Sequence, residues 1–253
     1  MTVNLLLALI LLSLMVLIGG LKGAGAFLSL WINFGVLFVM IILINWGFNI
    51  FVVLMTCSII VLMVTILSTG ADEETILTAV QTSIIVMVIL MVIIIPMQSL
   101  NEVQGFAVEN SEELEGLTLQ VAVSFVKIGM AAALLATLGA IAEAAVAIAS
   151  GFFELTKHHP DMPIKKQLQM GQHLGEQIIG TAVNTVLFGF MADFLSLGIM
   201  FVKLNYSFAD VINNKLFVAT MLSMLYAFLG IILVLPITLI LIRLKYKKTD
   251  KNN

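Results

Sequence analysis

The chain has 253 residues, of which 61% are hydrophobic and 11% are charged, and its formal net charge is −3. Soluble domains contain roughly 45–50% apolar and about 25% charged residues, so this composition excludes a water-soluble globular protein. The basic residues are few and scattered along the chain, which excludes a surface for nucleic acid. The sequence therefore predicts an integral membrane protein whose first partner is the lipid bilayer.

Seven apolar stretches reach, or nearly reach, the length of about 20 residues that a membrane-crossing helix needs. In chain order they are residues 4–19, 26–45, 48–68, 75–97, 118–151, 173–202 and 215–242. Their uniformly apolar character is unlike the alternating pattern of strands in a membrane barrel. We therefore predict an all-α, polytopic bundle of about seven spans that forms a single domain over residues 1–253. The first stretch lacks a basic leader and a clear cleavage site, so we interpret it as a retained span.

Basic residues in short loops indicate the orientation, because such loops stay in the cytoplasm. They occur in the first hairpin "GGLKGAG", in the loop between spans five and six, and in the tail 243–253. With seven spans these segments share one side, which predicts an N-terminus outside and a cytoplasmic C-terminus. The opposite side receives the acidic loop 98–117, which contains Glu but no Lys or Arg.

Motifs for covalent or metal chemistry are missing from the sequence. Cys57 is the single cysteine, so an intrachain disulfide and a cysteine-based metal site are excluded. The histidines lack the spacing of metal ligands on one helix, and "GGLKGAG" lacks the spacing of a nucleotide-binding loop. We expect no metal, no cofactor and no enzymatic activity.

Ionisable residues within the apolar stretches are the functional candidates, because a charge at membrane depth costs about 2.5–3.5 kcal/mol. They are Lys127, Glu143, Glu176 and Asp193. Glu143 shares one helix face with Gly139 and several alanines, a pattern typical of close helix packing, so we expect the acid to point into a helix–helix contact. A span that begins near Ile128 places Glu143 in the inner half of the bilayer. A span that begins near Thr118 leaves it at the cytoplasmic interface, and both alternatives stay open.

Span six supplies a polar face opposite this acid. Gly180, Thr181, Asn184 and Thr185 share that face, and Gly175 belongs to a GxxxG spacing typical of close helix packing. Spans five and six are antiparallel, so we expect Glu143 to lie against the Thr and Asn side chains. A carboxyl group in a low-dielectric site favours its protonated form and can exchange a proton or a cation. A static hydrogen-bonded cluster is the alternative.

The segment "GAIAEAAVAIASGFFEL" followed by "GQHLGEQIIGTAVNTVLFGF" resembles the signature of the YibE/F-like family of bacterial membrane proteins. The matching positions are Gly139, Ala140, Glu143, Ser150, Glu154, Pro160, Gly175, Ile178, Gly180, Thr181, Asn184 and Thr185. Two departures are Glu143, where the family commonly has Asp, and Glu176-Gln177, which replace an Arg-Asp pair. The resemblance implies a bacterial inner-membrane location, a shorter YibF-like member, and a longer YibE-like relative as partner, but no established activity.

A second similarity concerns the order of the segments: an acid-bearing span, a cytoplasmic segment and then a Gly/Thr-rich span. This order is similar to the proton-relay helices of resistance-nodulation-division exporters and SecD/SecF-like proteins. The similarity is a fold-level analogy only.

Two hypotheses from different classes follow. In the first, the protein is a proton- or cation-coupled transporter component that acts as a homo-oligomer or with a YibE-like partner. Its ion-coupling residues are then Glu143, Asn184, Thr181, Thr185, Lys127 and Asp193, and its helix-packing residues are Gly139, Gly175 and Gly180. In the second, the protein is a membrane scaffold whose polar residues only hold helices or subunits together.

Overall fold

A computed structural model describes residues 2–101, 103 and 125–249, and all regular structure in these ranges is helical. This confirms the predicted all-α fold. The helices are α1 (Val3–Asn45), α2 (Ile50–Leu67), α3 (Glu73–Asn101), α4 (Phe125–His158), α5 (Ile164–Lys203), α6 (Phe208–Asn213) and α7 (Lys215–Thr249). Within the described ranges, every helix except the short α6 is long and apolar enough to cross a membrane. The chain is a multi-pass integral membrane protein.

Helix α1 contains both of the first two predicted spans, residues 4–19 and 26–45. Its 43 residues would measure about 64 Å if straight, roughly twice the hydrocarbon thickness. Gly20 breaks the helix with φ 57° and ψ −135°, and a Cβ on Gly23 would lie 1.8 Å from the carbonyl oxygen of Met15. Residues eight apart in a straight helix are about 12 Å apart. The chain therefore bends back sharply inside the predicted "GGLKGAG" turn.

This bend carries a stability prediction. Gly23→Ala places a methyl group against a backbone carbonyl that cannot move aside as a side chain would, and we expect the protein to lose about 1–3 kcal/mol of stability. Gly25→Ala is the matched control, since no atom of the described residues lies within 4 Å of a Cβ at that position. Thermal unfolding in detergent measures both variants. Equal melting temperatures would contradict the close approach at Gly23.

The remaining helix ends differ from the predicted ones where polar residues continue a helix. Helix α5 begins at Ile164 instead of residue 173, and α7 continues to Thr249 through the basic residues that we predicted as a tail, 243–253. Lys and Arg are good helix formers, so the end of hydrophobicity need not end a helix. Most of the predicted acidic loop 98–117 and the start of the predicted span 118–151 lie outside the described residues. Helix α6 has no counterpart among the predicted elements.

Helix α4 is the centre of the bundle and packs against α2, α3, α5 and α7. Its buried side combines alanines with large residues such as Ile141, Ile148 and Phe152, which are fully buried. In contrast, none of the residues in the most apolar 18-residue stretch of α1 are buried within the chain, and only 6% of those in the corresponding stretch of α5 are. These two helices therefore lie at the periphery and expose broad faces.

The basic segments meet at one end of the bundle. Lys22 Nζ donates a hydrogen bond to the carbonyl oxygen of Gly70 at 3.3 Å, and Lys157 at the end of α4 pairs with Asp72 in the turn before α3. Lys245 Nζ donates to Thr78 Oγ1 at 2.7 Å near the start of α3. The predicted orientation requires these segments on one side, and they are together. That this side is cytoplasmic stays a prediction.

The Asp72–Lys157 pair has a defined pH dependence. The hydrogen bond from Lys157 and its charge lower the pKa of Asp72 below its ordinary value of 3.8. A carboxyl group whose pKa is lowered in the folded state stabilises the fold above the unfolded-state pKa and loses this contribution as the pH falls through the folded-state value. We expect Asp72→Asn to lower the melting temperature slightly at pH 5–8, because the pair is exposed. The melting temperatures of the native protein and of Asp72→Asn should converge as the pH falls below 3.8. A difference between them that grows in acid would contradict the pairing.

Candidate functional site

The contact between α4 and α5 fixes how these antiparallel helices align. A Cβ on Gly151 would lie 2.3 Å from Leu174 Cδ2, and a Cβ on Gly171 would lie 2.6 Å from Phe152 Cδ2. Gly175, predicted as a packing residue, lies instead against α7, where its Cβ would be 2.2 Å from Leu235 Cδ1. The GxxxG pair of α5 thus contacts two different helices.

Glu143 lies level with the polar face of α5. From the Gly151–Leu174 contact, eight residues back along α4 reach Glu143, and seven residues forward along α5 reach Thr181. Both are about 10–12 Å from the contact. By the same count Gly139 is level with Thr185. We call the outer surface formed by Gly139 and Glu143 of α4 with Thr181, Asn184 and Thr185 of α5 the α4–α5 groove.

The groove is open, which corrects the prediction that Glu143 points into a contact between these two helices. Glu143 and Gly139 are exposed, as are Thr181, Asn184 and Thr185. The opposite face of α4, with Ile141, Ala142, Ala144, Ala145 and Ile148, is buried instead. That face carries the larger side chains of α4 and buries more area against α3 and α7. Glu143 and the Thr and Asn side chains of α5, which we expected to be in contact inside the bundle, are therefore exposed on one surface instead.

The depth of Glu143 follows from the charged end of the bundle. Lys157 pairs there with Asp72, which lies in a turn between helices. Glu143 is fourteen residues before Lys157 on the same helix, about 21 Å along its axis. A hydrocarbon layer about 30 Å thick that begins at this charged end would contain Glu143. The geometry supports the deeper of the two registers considered for Glu143.

The groove contains unused hydrogen-bonding capacity. Thr181 Oγ1 donates to the carbonyl oxygen of Ile178 at 2.9 Å, and Thr185 Oγ1 donates to that of Thr181 at 3.0 Å. Both hydroxyls keep acceptor lone pairs. Among the described residues, Glu143 and Asn184 have no hydrogen-bond partner. A protonated carboxyl group at Glu143 can donate to a hydroxyl or amide oxygen, and an ionised one can accept a hydrogen bond or bind a cation.

Two other predicted site residues lie far from the groove. Lys127 is exposed in the first turn of α4, about 24 Å along the axis from Glu143. Asp193 is exposed on α5, about 18 Å beyond Thr181. Both are displaced toward the end of the bundle opposite Asp72 and Lys157. Gly180 is exposed and, like Gly139, has no described atom within 4 Å of its Cβ position, so neither packs against another of the described helices.

Buried hydroxyl groups inside the bundle were missed by the sequence analysis. Thr82 Oγ1 of α3 and Thr238 Oγ1 of α7 are 3.2 Å apart and fully buried. Ser58 and Ser83 are also fully buried, and their hydroxyls have no partner among the described residues. The spacing of Thr75, Thr78 and Thr82 is helical and would have indicated one polar stripe along α3. The Thr82–Thr238 contact joins α3 to α7 through two hydroxyl groups.

A family model described as YibE/F-like protein matches residues 7–248 of the chain. No curated protein and no solved structure matches it. The match covers almost the whole sequence, including every helix that lines the α4–α5 groove.

Proposed function

We propose that this chain, which belongs to the YibE/F-like protein family, is a component of a proton- or cation-coupled transporter in the bacterial inner membrane. The observation that carries the proposal is that Glu143 is an exposed carboxyl group, about 21 Å along α4 from the charged end of the bundle, which supports a position within the hydrocarbon layer. Such residues are costly in a membrane, at about 2.5–3.5 kcal/mol, and mark ion or proton pathways.

The groove supports this role through its composition. Small residues around Glu143, such as Gly139, leave space beside the carboxyl group. Thr181 offers an oxygen atom at the same depth, and Thr185 offers another about one turn further along α5. Oxygen ligands suit a proton or a hard cation. Glu143 is the titrating group in this proposal, and the α5 side chains bind whatever it holds.

A scaffold function is the second candidate, and the buried Thr82–Thr238 contact favours it. That contact ties α3 to α7 with no exchangeable charge, as a purely structural polar contact would. In a scaffold, Glu143 would serve only to hold a neighbouring helix, and its charge state would not affect transport.

Proton movement in reconstituted vesicles tests the proposal. The native chain should carry protons across the vesicle membrane when a pH gradient is imposed, and Glu143→Gln should not. Equal proton movement by both proteins would favour the scaffold.

A further inference from the structure

We infer that the α4–α5 groove is the contact surface of a homodimer, in which Glu143 of one copy lies against Thr181 and Asn184 of the second. This inference rests on the proposed function only for the role of Glu143 in transport, because the contact itself is argued from the exposed α4–α5 groove. The partner that completes the site is a second copy of the chain.

Depth matching is the first argument. Two copies inserted in the same direction are related by a two-fold axis along the membrane normal, and this rotation keeps every residue at its own depth. Glu143 is level with Thr181 on the same surface. The rotation therefore brings Glu143 of each copy to the depth of Thr181 of the other, and an isologous contact repeats this pairing twice.

Complementary chemistry is the second argument. Glu143 and Asn184 have no hydrogen-bond partner among the described residues, and acyl chains offer none. One face thus presents an acid together with the hydroxyl and amide groups that can bind it. Because both halves of the interaction lie on the same surface, a second copy satisfies both without any additional kind of protein.

Space for the second copy is the third argument. Gly139 is exposed in the groove, and no described atom lies within 4 Å of its Cβ position. Ala132 and Ala136 continue the exposed small side chains along α4. Small residues let helix backbones approach closely in lipid, so α5 of the second copy can come near enough for Asn184 to reach Glu143.

Disulfide cross-linking between two tagged chains tests the contact, in a Cys57→Ala background. One chain carries Gly139→Cys and the other Thr185→Cys, so that only a contact between copies forms the mixed disulfide. The control pair is Val92→Cys and Leu229→Cys. These positions are exposed at 68% and 43% and are level with each other on α3 and α7, as counted from the Thr82–Thr238 contact. We expect the groove pair to form the mixed disulfide in membranes and the control pair not to.

A second groove pair, Ala136→Cys with Phe188→Cys, keeps the test decisive if either first variant fails to insert. Failure of both groove pairs to exceed the control would overturn the homodimer, even if Glu143→Gln abolishes proton movement. Cross-linking with unchanged proton movement in Glu143→Gln would keep the homodimer and reject the transport role. Glu143→Gln should itself still cross-link, because an amide retains hydrogen-bonding capacity.

Discussion

Replacing Glu143 with Gln is expected to reduce proton movement in reconstituted vesicles to that of empty vesicles, with unchanged expression and melting temperature. Gln has nearly the same shape as a protonated Glu and keeps its hydrogen-bonding groups, but it cannot release a proton. Glu143 is exposed on the bundle surface, so the substitution alters no buried contact of the described residues. The effect therefore falls on proton exchange alone.

Glu176→Gln is the matched control for this experiment. Glu176 is also an exposed Glu, on α5, but by the same count it lies about 9 Å nearer the charged end of the bundle than Glu143, and it is hydrogen-bonded to Gln172 at 3.0 Å. We expect that variant to retain native proton movement, and Glu143→Asp to retain part of it. A variant Glu143→Gln that fails to fold would favour a structural role for the acid. Loss of proton movement in both Gln variants would point to a general effect of charge.

The second large effect is expected on stability, from Gly171→Val. A Cβ at this position would lie 2.6 Å from Phe152 Cδ2, and the Phe152 ring is fully buried against the core. Overpacking of this kind costs typically about 1–3 kcal/mol, and a β-branched residue with two further carbons belongs at the upper end. We expect a clearly lowered melting temperature or loss of the folded protein.

Gly189→Val is the control for helix propensity, since Gly189 is on the same helix and its Cβ position has no neighbour within 4 Å in the described part of the chain. Its melting temperature should stay near the native value or rise slightly, because Val is a better helix former than Gly. Similar losses in both variants would contradict the contact between α4 and α5 that aligns Glu143 with Thr181.

The spans were predictable from the sequence because hydrophobic length alone identifies a membrane helix. The turn at Gly20 was predictable too, from the cluster of glycines around Lys22. The buried face of α4 was not. Ala133 and Ala142 are buried while Ala132 and Ala136 are exposed, and lipid is as apolar as a helix neighbour. Composition therefore does not distinguish inside from outside in this helix.

The same ambiguity explains the outcome for the candidate site. Helical spacing placed Glu143 with Gly139, and Thr181 with Thr185, on single faces, and all four residues are exposed. It did not show that both faces point away from the core, since that depends on Ile141, Ile148 and Phe152 packing against other helices. The alignment of Glu143 with Thr181 required the glycine contacts at residues 151 and 171, which join side chains from different helices.

Carbodiimide labelling in native membranes tests most directly whether Glu143 is a protonatable group within the lipid layer. A lipid-soluble carbodiimide reacts with carboxyl groups that it reaches within the hydrocarbon layer, and mass spectrometry of peptides locates the adduct. At neutral pH the adduct should form on Glu143 and not on Glu154, which is exposed beside Lys157 at the charged end of the bundle. An adduct on Glu154 with none on Glu143 would contradict the account.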